Sequence, residues 1–348
     1  MVETEYPNIS VIVACLNEEK YIEQCIESLL SSDYKGKFDI YAVDGGSSDR
    51  TLDILEGIKL KDNRLKILHN PRRLQSAGRN IAIETTDANY VAYLDARREA
   101  DVSWLSQLWD CFKEVSAMDD RVLGVGSTQK YVGQTKFRRA QAHAFSSVLS
   151  GAGGTNFLKL TEVHKTDHAC MCLYDKKYLI NQYKYDDDLP VGEDIELNHR
   201  MTIINGLNLY VNPKAVNYYY PRENFQKLFW QQLRYGYWRQ VVLSALSFKA
   251  SDNSKAKHIF SAMRVKTVVP GIFVSILTLS FLLSFVSNMF FFAYYSIMAS
   301  YIIIISLVSL WKSIFEKTNF IELLIVFIAI HFGYGVGVAA YYLKIKNI

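Results

Sequence analysis

An α/β domain with a mostly parallel sheet, followed by a bundle of membrane-crossing helices, is the architecture this chain predicts. Between residues 9 and 95, short apolar runs alternate with stretches of helical periodicity, and a strand–helix–strand order implies a parallel sheet. Three of the apolar runs are closely followed by a polar residue, Asn17, Asp44 or Asp95, where open α/β sheets bind ligands. Farther on, residues 267–311 hold no charge over about 45 positions, whereas one membrane crossing needs only about 20.

Taken in order, residues 9–14 form a continuous apolar strand, and 19–31 set Ile22, Ile26, Leu29 and Leu30 at helical spacing. A second strand, 40–43, runs into Asp44. A helix at 51–58, a strand at 65–69, a helix at 76–85 and a strand at 90–94 that ends at Asp95 complete the alternation. Asn17, Asp44 and Asp95 should therefore converge on one crevice.

In the uncharged run, Ser287 and Asn288 are the only turn-like polar pair, which places a tight hairpin there between helices 268–286 and 290–310. A third uncharged run, 323–343, supplies a helix at 322–343. Soluble helices seldom exceed 25 residues without a charge. The chain of 348 residues thus divides into an α/β domain (1–245), a basic juxtamembrane linker (246–267) and a membrane domain (268–348).

The N-terminus lacks the pattern of a signal peptide, so the first domain is expected in the cytoplasm, on a multi-pass protein of the cell membrane. Lys249, Lys255, Lys257, Arg264 and Lys266 stand against Asp252 alone, and the positive-inside rule puts them in the cytoplasm. Lys312 and Lys317 agree. Lys344 and Lys346 do not, since three spans leave the C-terminus outside, and a re-entrant third segment is the alternative. The net charge of +4 is the sum of −2, +4 and +2 over the three parts, so no nucleic-acid-binding face is expected. Five cysteines, with no Cys-x-x-Cys pair, read as reduced thiols.

Val-Ala-Cys-Leu-Asn-Glu-Glu (13–19), Val-Asp-Gly-Gly-Ser-Ser-Asp-Arg-Thr (43–51), Ser-Ala-Gly-Arg-Asn (76–80), Tyr-Leu-Asp-Ala (93–96), Gly-Glu-Asp (192–194) and Gln-Gln-Leu-Arg-Tyr (231–235) occur in that order. The set resembles that of family 2 glycosyltransferases with a GT-A (Rossmann-like) fold, over about residues 8–240. Gly-Ala-Gly-Gly (151–154), Arg-Tyr-Gly-Tyr-Trp-Arg (234–239) and His-Phe-Gly-Tyr-Gly-Val-Gly (331–337) resemble the membrane-anchored, succinoglycan-type branch of that family.

Each candidate residue carries a chemical reading. Asp44 can accept a hydrogen bond from a uracil imide, while Gly45 and Gly46 let the backbone turn beneath the nucleotide; Asp49 is the better cap for the following helix. The resemblance draws Asn17 and Glu18 toward the nucleotide, although Glu18 also suits a helix dipole. It draws Arg79 to the donor as well, where a fixed charge suits a diphosphate. Asp95 stands where the family commonly has Asp-x-Asp or Asp-x-His, which helps hold a divalent cation, Mg2+ or Mn2+. Here the third residue is Arg97, which has no lone pair for a metal. Either Asp95 holds the ion with phosphates and water, or Arg97 itself neutralises the diphosphate, or Arg97 faces outward. His168 completes a metal site or is a plain loop residue.

Inverting transfer needs a carboxylate opposite the leaving diphosphate to take the acceptor's proton. The resemblance places Asp194 there, with Glu193 orienting the acceptor or supporting the site; a helix cap is the bland alternative for Asp194. Gln231, Arg234 and Tyr235 match a Gln-x-x-Arg-Trp motif with Tyr for Trp, and serve either the acceptor or the membrane interface. In the third span, Gly333, Gly335 and Gly337 permit close helix packing, and His331 meets either a lipid diphosphate or another helix. The resemblance implies a membrane-anchored inverting transferase that moves sugar from a nucleotide-sugar donor to a lipid-linked or saccharide acceptor. A polyprenyl-phosphate sugar synthase and a catalytically silent membrane scaffold are the alternatives.

Overall fold

A computed structural model of the chain describes residues 6–147, 149, 160–180, 183–250 and 253–345. They form two compact units: Met1–Lys130 with Asn156–Tyr219, and Tyr131–Thr155 with Tyr220–Ile348.

The first unit is built on a mixed sheet. Strands β1 (Ile9–Cys15), β2 (Phe38–Asp44), β3 (Leu65–His69) and β4 (Tyr90–Tyr93) pair in parallel, in the order β3-β2-β1-β4. Between them lie helices α1 (Ile22–Leu30), α2 (Thr51–Lys59) and α3 (Gln75–Thr85). The alternation reads correctly because β1 and β2 are largely buried on both faces, so their sequences are nearly continuous apolar runs, broken inside by Ser10 and Asp39. On α1, Ile22, Cys25, Ile26 and Leu29 form the inward stripe.

Beyond β4 the strands turn antiparallel. They are β5 (Arg98–Ala100), β6 (Val122–Tyr131), β7 (His164–Thr166), β8 (Cys170–Asp175) and β9 (Asn208–Tyr219), and β8 pairs antiparallel with both β4 and β6. Helix α4 (Trp104–Ser116) covers one face, where Trp104, Leu108 and Phe112 join the core of β1 and β2.

The second unit is helical. It comprises α5 (Lys136–Phe145), α7 (Phe225–Lys249), α8 (Ser254–Ser284), α9 (Asn288–Phe315) and α10 (Phe320–Tyr342), while α6 (Glu193–His199) belongs to the first unit. Helices α8, α9 and α10 are long and apolar enough to cross a membrane. Helix α8 ends at Ser284 and α9 begins at Asn288, with Ser287 capping α9 through its side chain.

Two expected boundaries differ. Residues 254–267 are the first turns of α8, continuous with its apolar part, rather than a linker. Helix α7, expected in the first domain, belongs to the unit of the membrane helices. Its Gly236 lies against the Tyr334 carbonyl of α10, and Gly333 and Gly337 of α10 lie against the carbonyls of Phe229 and Leu233. Small residues are what let two backbones meet in this way. The motif at 151–154, Asp252 and Lys346 lie outside the described residues.

Candidate active site

At the carboxyl end of β2, the Asp44 carboxylate accepts from the backbone N–H groups of Gly46 (2.9 Å) and Ser47 (3.0 Å) and from the Ser47 hydroxyl (2.5 Å). Gly46 sits at φ 76°, a conformation that glycine adopts without strain. Asn17, itself at φ 55°, takes the Ser48 N–H on its Oδ1 at 2.8 Å and donates its own N–H to Ser47 Oγ at 2.9 Å. Asp49 accepts from the backbone and hydroxyl of Thr51, the first residue of α2, and from the Glu19 N–H. The loops after β1 and β2 are thus stitched together, and Asp44 shapes the turn it stands in.

The second cluster forms at the end of β4. The Asp95 carboxylate accepts from Gln75 Nε2 (2.8 Å), Arg79 Nη2 (3.2 Å) and Arg98 Nε (3.1 Å). Arg79 is 4% exposed, and its other terminal nitrogen reaches Glu193 Oε1 at 3.0 Å. The guanidinium lies between the rings of Tyr93 and Tyr185, 5.1 and 5.3 Å from their centroids, a cation–π setting that offsets some of its lost hydration. One buried arginine therefore joins two carboxylates that are nearly a hundred residues apart in the chain. Buried pairs of this kind are strongly destabilised when one partner is removed.

Burial pushes the Glu193 carboxyl up to about 7; Arg79 pulls the other way, and the charge of Asp194 adds to the rise. For Asp95, burial also opposes ionisation, but Arg98 and Arg79 outweigh it and hold the carboxyl below its usual range. Asp194 stands beside Glu193 in the first turn of α6, whose cap residue is Gly192 at φ 81°. Asp194 is therefore not the cap of the helix; its Oδ1 accepts from the Ile195 N–H at 2.8 Å.

Arg97 does not face outward. Its Nε donates to Glu18 Oε1 at 2.8 Å, its guanidinium lies 5.0 Å from the Tyr21 ring centroid, and its side chain is 20% exposed. Residues that sequence reasoning passed over are Gln75 and Arg98. Arg98 is anchored by Gln129 and Asn217, each at 2.8 Å from Nη1. The arginine doublet following Asp95 was the available signal.

A divalent cation fits Asp95 poorly as arranged. A carboxylate offers about four lone-pair sites; three are taken here, two of them by guanidinium groups that repel a cation. Elsewhere in the first unit, His168, Cys170 and Asp194 bring one potential ligand atom each within 4.8 Å of one another.

In the second unit, Gln231 donates to the Tyr235 hydroxyl at 3.1 Å, one turn along α7, and Arg234 and Tyr235 are exposed. His331 of α10 meets the Leu149 carbonyl at 2.7 Å and the Tyr301 hydroxyl of α9 at 3.2 Å, so both its nitrogens serve contacts within the unit.

Comparison with known proteins agrees with this architecture. The family described as Glycosyl transferase family 2 matches residues 10–181. A dolichyl N-acetyl-alpha-D-glucosaminyl phosphate 3-beta-D-2,3-diacetamido-2,3-dideoxy-beta-D-glucuronosyltransferase of Methanococcus voltae is 28% identical over 232 residues, 66% of this chain and 71% of that protein. The succinoglycan biosynthesis protein ExoA of Rhizobium meliloti (strain 1021) is 30% identical over 228 residues, 65% of this chain and 67% of that protein. Among solved structures, the mannosyltransferase PcManGT from Pyrobaculum calidifontis, in complex with GDP-Man and Mn2+, is similar in fold at a TM-score of 0.63 and 16% identity, covering 98% of this chain and 88% of that one.

Proposed function

The chain belongs to glycosyl transferase family 2 and is a glycosyltransferase, and from that premise we propose that it transfers a sugar, with inversion, from a nucleotide-diphospho-sugar to a lipid-linked glycan at the cytoplasmic membrane face. The observation that carries this reading is the single arginine that ties Asp95, at a strand end, to Glu193 beside Asp194. It makes the donor end and the base end of the site one rigid piece.

In this reading the acceptor hydroxyl attacks the anomeric carbon as the bond from that carbon to the diphosphate oxygen breaks. The bonding electrons leave with the diphosphate, and Asp194 takes the hydroxyl proton. Asp194 is held by one oxygen on the Ile195 N–H, which leaves the other for the proton. Asn17, Glu18, Asp44, Asp95 and Arg97 form the nucleotide side. Arg79 is a positioning residue, because it is buried and acts through Asp95 and Glu193. Gln231, Arg234 and Tyr235 serve the acceptor. Asp95, already held by Gln75 and two guanidinium groups, fits a cation poorly, and the transfer step uses none there. Two relatives, one named for acting on a dolichyl phosphate sugar and one for succinoglycan biosynthesis, support the acceptor class, and the three apolar helices support a tether to the bilayer.

The test is nucleoside-diphosphate release by the detergent-purified chain over a panel of UDP- and GDP-sugars, with lipid-linked saccharide, polyprenyl phosphate or no lipid. One donor should respond to lipid-linked saccharide, and Asp194→Asn should lower that rate about 10²–10⁴-fold. Stimulation by polyprenyl phosphate alone turns the reading into a polyprenyl-phosphate sugar synthase. Release indifferent to Asp194→Asn removes the assigned base.

A further inference from the structure

The loop between β7 and β8 brings His168 to the base, and the hydrogen bonds around it fix where its proton lies. Asn198, fully buried and one helical turn beyond Asp194 on α6, has its amide orientation set from both ends. Its Oδ1 accepts from the Tyr174 hydroxyl at 2.6 Å, and its Nδ2 donates to the Ala169 carbonyl at 2.9 Å. A backbone carbonyl only accepts, so the amide cannot be turned over without setting two oxygens against each other. The same Nδ2 lies 3.3 Å from His168 Nδ1. An amide nitrogen only donates, so Nδ1 must accept, and the proton of the neutral imidazole is left on Nε2. Nε2 lies 3.9 Å from the Cys170 sulfur, in the group whose third member is the Asp194 carboxylate.

We propose that His168 is a positioning residue for transfer: a neutral imidazole, locked as the Nε2–H tautomer by Tyr174 and Asn198, that presents one hydrogen-bond donor to the Asp194 carboxylate. The donor aims the base without competing for the acceptor's proton, because a nitrogen that already carries hydrogen has no lone pair to offer. The same tautomer separates this group from a metal centre, although its three side chains have the right chemical types for one. A histidine ligand needs a free nitrogen lone pair, and here Nε2 is spent on its proton and Nδ1 on Asn198. The role rests on Asp194 being the base, as proposed above; the tautomer does not.

The experiment uses the full chain in detergent, labelled with 15N at histidine. His168 is assigned by its loss in His168→Gln, and the imidazole nitrogen shifts report which nitrogen carries the proton. Nε2–H is expected. His168→Phe should lower kcat roughly tenfold to a hundredfold, less than the loss of a donor that touches the reacting atoms, with the donor's KM changed by less than about twofold. His168→Gln, whose amide N–H can stand near the Nε2 position, should recover most of that rate. Mn2+ and Zn2+, titrated as the metals alone, should bind wild type and His168→Phe alike. A proton on Nδ1, a His168→Phe enzyme at full rate, a His168→Gln enzyme as impaired as His168→Phe, or metal binding abolished in His168→Phe each overturns the inference. Transfer that survives Asp194→Asn overturns the base assignment instead, a result distinct from transfer lost in Asp194→Asn but intact in His168→Phe.

Discussion

The Asp44 turn and the Asp95 cluster stand at the ends of strands in one sheet, yet they are held in opposite ways. Around Asp44 the donors come from two and three residues along the chain. Asp95 takes partners from α3 and β5, and through Arg79 it is tied to Glu193 on α6. The turn can form as soon as its own short segment does. The cluster exists only once the sheet is assembled, and its charge balance is set by burial and by two guanidinium groups, one of them, Arg79, shared with the distant carboxylate of Glu193. A motif is thus readable where its residues satisfy one another, and its chemistry is tertiary where they do not.

That contrast breaks most visibly at Arg79. Arg79→Met leaves the buried Glu193 and the part-buried Asp95 without the guanidinium they share, and should destabilise the first unit by about 3–5 kcal/mol. The thermal midpoint of the detergent-solubilised chain, read by tryptophan fluorescence, measures it; a loss below about 1 kcal/mol would reduce the cluster to a surface pair.

Glu193 tests the same cluster by pH. Its folded carboxyl titrates near 7 against an ordinary 4.5, so the folded state holds this proton more tightly than the unfolded state does. The stability it contributes is complete below about pH 4.5 and is lost as the pH rises through 7, by at most about 3 kcal/mol. Glu193→Gln should flatten that decline, and an unchanged slope between pH 4.5 and 7 would place the titration elsewhere.

At the turn the effect is smaller and local. Asp44→Ala strands the Gly46 and Ser47 donors, at about 1–3 kcal/mol, whereas Asp44→Asn keeps an acceptor oxygen and should recover part of it. If Asp44 also meets the nucleotide base, UDP affinity measured by titration falls in both variants by more than stability explains; equal affinity in Asp44→Asn and wild type confines Asp44 to the turn.

How much could be read in advance follows the same division. Strands β1 to β4 and helices α1 to α3 were legible because local periodicity and burial coincide there, and α8 to α10 because a bilayer imposes length and composition. Asp95, Arg79 and Glu193 were named individually, but their union was not legible: nothing local in Ser-Ala-Gly-Arg-Asn says that the arginine is buried between Tyr93 and Tyr185. Gln75 and Arg98 were missed for that reason. Arg97 shows the converse, since its side chain turns to Glu18, a partner that no spacing rule selects. The placement of α7 with the membrane helices depends on Gly236 meeting α10, which a scan for apolar runs does not register.

Distance along the chain is not what makes the Asp95 cluster strong, and Arg72 shows why. Its guanidinium bridges to Asp187 and Asp188 at 3.4 and 2.7 Å, across a sequence gap as long as that between Arg79 and Glu193. Yet the Arg72 side chain is 47% exposed and its two partners 42% and 88%, so water and salt screen the pair and two mobile side chains must be ordered to form it. The neighbouring loop is held independently, by Asn80 donating to the Tyr185 carbonyl and by Ser76 donating to that of Leu189. Arg72→Ala should therefore cost no more than about 0.5 kcal/mol in the same thermal assay, roughly a tenth of the Arg79 effect. A loss comparable to that of Arg79→Met would mean that the long-range link itself, rather than its burial, holds the site, and would overturn the contrast between the two clusters.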